Sequence, residues 1–554
     1  MINLIIALVL GLIHSLSFYH GVLPSWSYAP IQMLSFAGLF YLLLNSGSAK
    51  KAFLNAYVFG IASFCSSLYW LYISMHVYGH MPAVMAAVAV FLFSLYLAVY
   101  YGLAAFISAK LVCLIKREGN TNNLNTKTSE RDSKLSYLPI NSYTYWLTPF
   151  IWAASITLAE LARGYIFTGF PWNAIAYAYV DTVYSAWAPV GGMYSIVFVV
   201  SLSSALLAQV FYQGTATLKL RSGIQFISVL LISWGLGFIQ WWQPHGDPIS
   251  VRLLQTNVPM EQKFDPLQGI ERIYEQFFLA QLPASDPARP PEVTIFPETS
   301  IPIFQHQLDT QIWSDIIGMS SKTNSTFLIG TPLYLPEGIG NYRITNSVIE
   351  VDAFSNIADI YSGDGLNVYN KRHLVPFGEF VPLGFKWFVD MMQIPLGNFD
   401  SGRDNQQLLT LNDQHFAPNI CYEDLFGEEL LPQLFPRGTN SSGATILFNI
   451  SNLAWFGNTI ALGQHLEISR MRSLETARPM IRSTNTGATA AIDANGKVVA
   501  ALPSMQAGFL DVYVQGTQGL TWYAYVSNLP IFILALVILG LSWFRRSSMT
   551  GIKK

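Results

Sequence analysis

The stretch PNICYEDLFGEE, Pro418–Glu429, sets a cysteine at the end of an apolar, strand-like run (HFAPNICYEDLF) and crowds Glu423, Asp424, Glu428 and Glu429 behind it. Cys421 is the only cysteine between residues 243 and 521. A thiol there reads either as a small buried hydrophobe or as a nucleophile presented at a strand end. Its surroundings indicate the fold. SVRLLQTNV (250–258), VTIFPETS (293–300), TFLIGTPLY (326–334), ITNSVIEVDA (344–353), ATILFNISN (444–452) and ATAAIDANGKVVAAL (488–502) are short β-rich runs closed by turn residues. Between them, QGIERIYEQFFLAQL (268–282) puts Ile270, Ile273, Tyr274, Phe277 and Ala280 on one helical stripe. QHLEISRMRSLETARP (464–479) reads as a helix that ends before Pro479. Alternating strands and helices predict one layered α/β domain over 243–521, large enough to bury its own core.

The rest of the chain is different. Of 554 residues, 52% are hydrophobic and only 12% charged, and mean hydropathy is +0.35. Soluble chains carry about 25% charged residues. Apolar runs at about 2–22, 28–46, 53–75, 82–113, 145–166, 188–212, 225–242 and 523–544 are candidate membrane spans. The first has no basic leader and no clear cleavage site, so it reads as an anchor. Basic residues follow every second span: Lys50 and Lys51; Lys116, Arg117, Lys127, Arg131 and Lys134; Lys219 and Arg221; Arg545, Arg546, Lys553 and Lys554. The positive-inside rule then puts both termini in the cytoplasm and 243–521 outside. The expected division is a transmembrane domain over 1–242, the outer domain over 243–521, and a last helix with a cytoplasmic tail over 522–554. A net charge of −2 gives no reason to expect a nucleic-acid partner. No 20–50-residue repeat and few ionisable residues mark the spans, which argues against a transporter.

Three polar groups stand at the ends of apolar runs: Glu298 in VTIFPETS, Lys371 in LNVYNKRHLVPFGEF, with Glu379 eight residues on, and Cys421. A rigid sheet aims such loop residues. A carboxylate can take a thiol's proton during attack, and an ammonium can stabilise thiolate and oxyanion, so Cys, Glu and Lys suffice for covalent acyl transfer. Each also has a bland reading: a turn carboxylate paired with arginine, a solvated basic pair with Arg372, an acidic helix start. The nine histidines show no metal-binding spacing. A Cys–His pairing through His373, His415 or His465 stays open, since no spacing favours one. GFKWFVDMMQIPLGNF (384–399) gathers Phe385, Trp387, Phe388, Met391, Met392 and Ile394; it reads as core cover or as a lid at the bilayer surface. Arg163, in the fifth span, is costly in hydrocarbon and needs Glu160 or a lipid headgroup as partner.

These motifs, in order, resemble those of the apolipoprotein N-acyltransferases: ELARGYIFTGFPWN (160–173), FPETS (296–300), YNKRHLVPFGEFVP (369–382), ICYEDLFGE (420–428), SNLAWFG (451–457) and QHLEISRMRSLETARPMIRSTNTG (464–487). The resemblance covers nearly the whole chain. It implies an outer domain similar to the nitrilase (carbon–nitrogen hydrolase) superfamily, an αββα sandwich beside about eight helical spans. It implies Glu298 as general base, Lys371 as stabiliser of the tetrahedral intermediate and Cys421 as nucleophile, supported by Glu379, Tyr422 and Glu423. It implies a phospholipid acyl donor, a diacylglyceryl-cysteine apolipoprotein acceptor, a thioester intermediate and a place in the bacterial inner membrane facing the periplasm. No cofactor or metal is called for, and a monomer is expected. The family usually has aspartate where Leu453 stands and tryptophan near Phe264. A membrane-anchored amidase with the same three residues is the alternative.

Overall fold

The computed structural model describes residues 1–121, 142–265, 268–337, 341–382, 384, 386–389, 398–436 and 443–550, with 113–121, 142–144, 388–389 and 545–550 described by backbone alone. The chain divides into two compact units. One comprises Met1–Tyr69, Ala87–Ile239 and Tyr525–Lys554; the other comprises Trp70–Ala86 and Gln240–Ala524.

The first unit is helical. Its elements include Ile2–Ser15, Tyr28–Leu44, Ala49–Ser67, Ser142–Tyr165, Ala188–Phe211, Ala216–Leu236 and Leu529–Thr550, and most of Ala83–Thr121. Aliphatic runs take this form because a helix satisfies its own backbone groups where water cannot. Among the described residues, five helices are long and apolar enough to cross a membrane. Ile2–Phe18 and Leu529–Phe544 are apolar but shorter. The run expected at 53–75 is not one straight helix: Ala49–Ser67 and Trp70–Tyr78 are bent by 52°. The run expected at 225–242 begins earlier, at Ala216, so Lys219 and Arg221 lie within the helix instead of flanking it. Small residues permit close packing. A Cβ on Gly11 would come within 2.2 Å of the Phe59 carbonyl oxygen, so Ile2–Ser15 lies directly on Ala49–Ser67.

Arg163 is buried and fully engaged. Its Nη2 and Nε donate to the two Glu160 oxygens at 2.7 and 3.2 Å. Its Nη1 donates to the carbonyls of Phe170 and Trp172 at 2.5 and 2.8 Å. Of the two partners considered for Arg163, the structure shows Glu160. This pair folds the chain beyond the helix end back onto it.

The second unit is a four-layer sandwich. Its long sheets are built from β1 (Ile249–Gln255), β2 (Val293–Ile295), β3 (Thr326–Pro336), β4 (Tyr342–Val351), β5 (Val368–Asn370), β6 (Leu409–Leu411), β7 (Gln414–Ile420), β8 (Ile446–Ser451), β9 (Met480–Thr484), β10 (Ala490–Ile492), β11 (Val498–Ala501) and β12 (Gly508–Val514). One sheet has the order β12-β1-β2-β3-β4-β5, the other β11-β10-β9-β8-β7-β6. Side chains alternate across each strand. Val251, Leu253, Ile295 and Leu328 therefore meet Phe416, Ile420, Phe448 and Ile450 between the sheets. Leu254, Phe327 and Ile329 point the other way, onto Ile273 and Phe277 of the helix Gly269–Ala280 and Trp313 of the helix Thr310–Thr323. Leu447, Met480 and Ile492 face outward from the second sheet, onto Leu430, Leu431 and Leu434. Each such buried side chain contributes about 1.5–3 kcal/mol, and together they make the rigid frame that carries the loops.

Candidate active site

Glu298, Lys371 and Cys421 lie just beyond the ends of β2, β5 and β7. The two charged groups therefore come from one sheet and the thiol from the other. Each strand end is built tightly. At the Pro297–Thr299 turn, a Cβ on Gly330 of β3 would sit 2.6 Å from the Pro297 oxygen and 2.8 Å from the Thr299 nitrogen, so only glycine lets β3 pass. Lys371 is fully buried, and its N–H donates to the Asn346 carbonyl at 2.8 Å. Cys421 opens a short 3-10 turn, Cys421–Leu425, and has φ +54. A non-glycine residue in that region costs about 1–2 kcal/mol. The gain is a sharp corner at the strand end, with the side chain partly buried.

The three groups form one cluster with two more. Lys371 Nζ lies 3.4 Å from Glu298 Oε1 and 2.9 Å from Glu379 Oε1. Asn346 Nδ2 donates to the same two oxygens, at 2.9 and 2.8 Å. Glu298 Oε2 accepts from the Asn452 N–H at 2.9 Å, and Glu379 Oε2 from the Val375 N–H at 2.8 Å. Lys263, 3% exposed, donates from Nζ to the Glu298 carbonyl at 2.9 Å. Glu298, Lys371 and Glu379 all act electrostatically on the Cys421 thiol.

Glu423 ties the nucleophile's turn to the lysine's loop. Its Oε2 accepts from the Ile420 N–H at 2.6 Å. Its Oε1 accepts from Tyr369 Oη at 2.9 Å and from the N–H groups of Arg372 and His373 at 2.6 and 3.2 Å. Tyr422 is buried, with its ring against His373 and Phe426. Trp387 is 62% exposed on the short helix Lys386–Val389. The Phe388 side chain and Met391 and Met392 lie outside the described residues.

Electrostatics decide the protonation state. Burial penalises the Lys371 ammonium, but Glu379 and then Glu298 outweigh it and hold its pKa above the ordinary lysine value. Burial raises the Cys421 pKa; Glu298 and Glu379 raise it further, and Lys371 only partly opposes them. These surroundings favour the thiol over the thiolate. Burial alone pushes Lys263 down to about 8 against the pull of Glu298.

The histidines fall away as bases. His373 pairs through Nδ1 with Glu429 at 2.8 Å and stacks on Phe426. His415 lies beside Thr410 and His245. His465 faces the Cys421 carbonyl, not the thiol. Among the described residues no three of His, Cys, Asp and Glu are grouped to hold a metal ion. Asn346 escaped the sequence reading, although Thr345-Asn346-Ser347 is a polar triplet inside an apolar strand and was a usable signal. Asn452 acts through its main chain, which no residue type reveals.

Residues 10–206 match the apolipoprotein N-acyltransferase N-terminal domain, and residues 260–519 match the carbon–nitrogen hydrolase domain. A curated apolipoprotein N-acyltransferase from Bordetella bronchiseptica is 41% identical over 96% of this chain and 94% of its own length. Those from Ralstonia nicotianae and Nitrosomonas europaea are 38% and 34% identical, over 98% and 94% of this chain and 93% of each relative. With near full-length matches of this kind, its apolar helices and its hydrolase-type sandwich, the chain belongs to the apolipoprotein N-acyltransferase family and is an acyltransferase.

Proposed function

We propose that the chain moves a fatty acyl group from a phospholipid to the α-amine of an N-terminal diacylglyceryl-cysteine, in two steps through a Cys421 thioester. The observation that carries this is the placing of a cysteine, a carboxylate and an ammonium just beyond the ends of three strands, with the lysine paired to the carboxylate. In the first step Glu298 takes the Cys421 proton while sulfur attacks the ester carbonyl. Lys371 stabilises the oxyanion. The intermediate expels the lysophospholipid oxygen, which leaves with the proton from Glu298, and the thioester forms. In the second step the amine attacks the thioester carbonyl and gives a proton to Glu298. Collapse releases the amide and returns that proton to sulfur. Glu379, Tyr422 and Glu423 support the site: Glu379 by anchoring Lys371, Glu423 by clamping both loops, Tyr422 by packing beside them.

The frame of this reading is a bacterial inner-membrane protein with about eight spans over 1–242 and 522–554, and a periplasmic domain over 243–521. It works as a single chain, with membrane lipid as both surroundings and donor. Exposed Trp387 supports contact with lipid. The test is intact-protein mass spectrometry of full-length protein incubated with phospholipid and no acceptor. A fatty-acyl mass gain, absent in Cys421→Ser and discharged by a diacylated lipopeptide, is expected. Discharge by water alone would make the protein an amidase-like hydrolase, and no gain in folded protein would remove Cys421 as carrier.

A further inference from the structure

The left-handed turn at Cys421 must be held from outside, because the residue's own backbone disfavours it. One holder is His465, on the helix Ile460–Thr476. It is fully buried, and its Nε2 lies 3.3 Å from the Cys421 carbonyl oxygen. Its Nδ1 lies 2.7 Å from Arg482 Nη2. A guanidinium has donors and no acceptor. Nδ1 must therefore accept, the imidazole proton must sit on Nε2, and Nε2 must donate to the Cys421 carbonyl. Arg482 is itself fixed: Nη1 donates to the His465 carbonyl at 2.6 Å and to Ser469 Oγ, and Asp424 lies 3.9 Å away. Among the described residues the other donor to the Cys421 carbonyl, Asn449 Nδ2, stands at 3.5 Å, the limit of a hydrogen bond. Burial, reinforced by Arg482, keeps the His465 pKa well below the usual histidine value, so the ring stays neutral.

We infer that His465 is a positioning residue: an Nε2–H donor, its tautomer set by Arg482, that clamps the Cys421 carbonyl and thereby aims the thiol. This rests on Cys421 being the acyl carrier. The test compares His465→Asn with His465→Gln in full-length protein, by the single-turnover rate of Cys421 acylation from palmitoyl-oleoyl phosphatidylethanolamine. The asparagine amide cannot reach the Nε2 position; the glutamine amide can. The expected result is acylation slowed about 10- to 100-fold in His465→Asn, the range for a misaimed reacting group, with most of the rate recovered in His465→Gln. A folded His465→Asn protein acylating at the wild-type rate overturns the inference, as does a folded His465→Gln protein as slow as His465→Asn. If neither variant folds, nitrogen-15 spectra of histidine-labelled His14→Gln, His20→Gln protein decide, since this leaves His465 as the buried histidine among the described residues: a signal unresponsive to pH with the proton on Nε2 is expected, and a proton on Nδ1 overturns the inference. Wild type that acquires no acyl group strikes the Cys421 reading instead and leaves the tautomer measurement standing.

Discussion

Glu379→Gln separates the electrostatic and geometric parts of the site. Glu379 Oε1 accepts from Lys371 and Asn346, while Oε2 accepts from the Val375 N–H. An amide has one oxygen and one NH2, so a glutamine of the same shape must turn its NH2 toward a donor on one side. It either loses the Lys371 contact or opposes the Val375 N–H. Leaving a buried partner of a charged hydrogen bond unmatched costs about 1.5–3 kcal/mol. If Lys371 bears that loss in the transition state, acylation slows about 10- to 150-fold. The thiol should respond in the opposite sense. Glu379 is one of the charges that raise the Cys421 pKa, so its removal makes ionisation easier. Alkylation of Cys421 by iodoacetamide, followed against pH, should shift to lower pH while acylation from phospholipid falls. A Glu379→Gln protein with wild-type acylation would refute the anchoring role. A fall in both reactivities would show that the whole loop had been lost, not just the lysine's partner.

Other perturbations test neighbouring contacts. Asn346→Ala removes hydrogen bonds to both Glu298 and Glu379, each worth about 1.5–3 kcal/mol; acylation should fall at least about 10-fold, and an unchanged single-turnover rate would count against Asn346. Lys263 has a folded pKa lowered to about 8 from 10.5. Its charge therefore penalises the folded state fully below about pH 8, and the penalty fades as pH rises to about 10.5, a gain of about 3 kcal/mol in stability. In denaturant titrations the stability of wild type relative to Lys263→Met should climb over that window, and a flat difference would sink the assignment. Glu160→Ala strands the buried Arg163 and should cost about 3–5 kcal/mol. A Glu160→Leu, Arg163→Met double variant should melt closer to wild type than Glu160→Ala in a thermal scan, and a double variant that melts lower would deny the coupling.

The sandwich was legible where strands obey local chemistry. β1, β3, β4 and β8 are runs of apolar and β-branched residues, and each falls within or beside an expected run. Three strands, β6, β9 and β12, were missed, the last two for different reasons. β9, Met480–Thr484, carries Arg482 in a fully buried position, which an apolar pattern excludes; the charge is tolerated because His465, Ser469 and Asp424 surround it. β12 alternates visibly, but its partner β1 is more than 200 residues away, and only the closed sheet makes its register meaningful. The bend between Ser67 and Trp70 was invisible because hydropathy runs through it unbroken. Trp70 turns instead toward polar and aromatic partners, donating to Gln464 at 3.0 Å and packing on Phe456. At the site, side-chain chemistry at strand ends pointed to Glu298, Lys371 and Cys421. The contacts that aim them come through main-chain groups and distant helices, and sequence spacing carries no trace of those.

The second glutamate resolves a difficulty that a Glu–Lys pair would create. With Glu298 as sole partner, Lys371 would lose its counter-ion at the moment Glu298 takes the thiol proton. The new thiolate would then be the nearest anion, and an ammonium–thiolate pair in a dry site is a sink that blunts attack. Glu379, 2.9 Å from Lys371 against 3.4 Å for Glu298, has no part in that proposed transfer and remains beside the lysine throughout it. Asn346, bonded to both carboxylates, would hold Glu298 in place while its charge changes in the proposed transfer. Such a cluster is poor for stability, since buried charges rarely recover their desolvation cost. Its arrangement makes sense as preorganisation: in the proposed cycle the lysine is positioned by a carboxylate other than the one that takes the thiol proton, so it stays in place when the oxyanion forms.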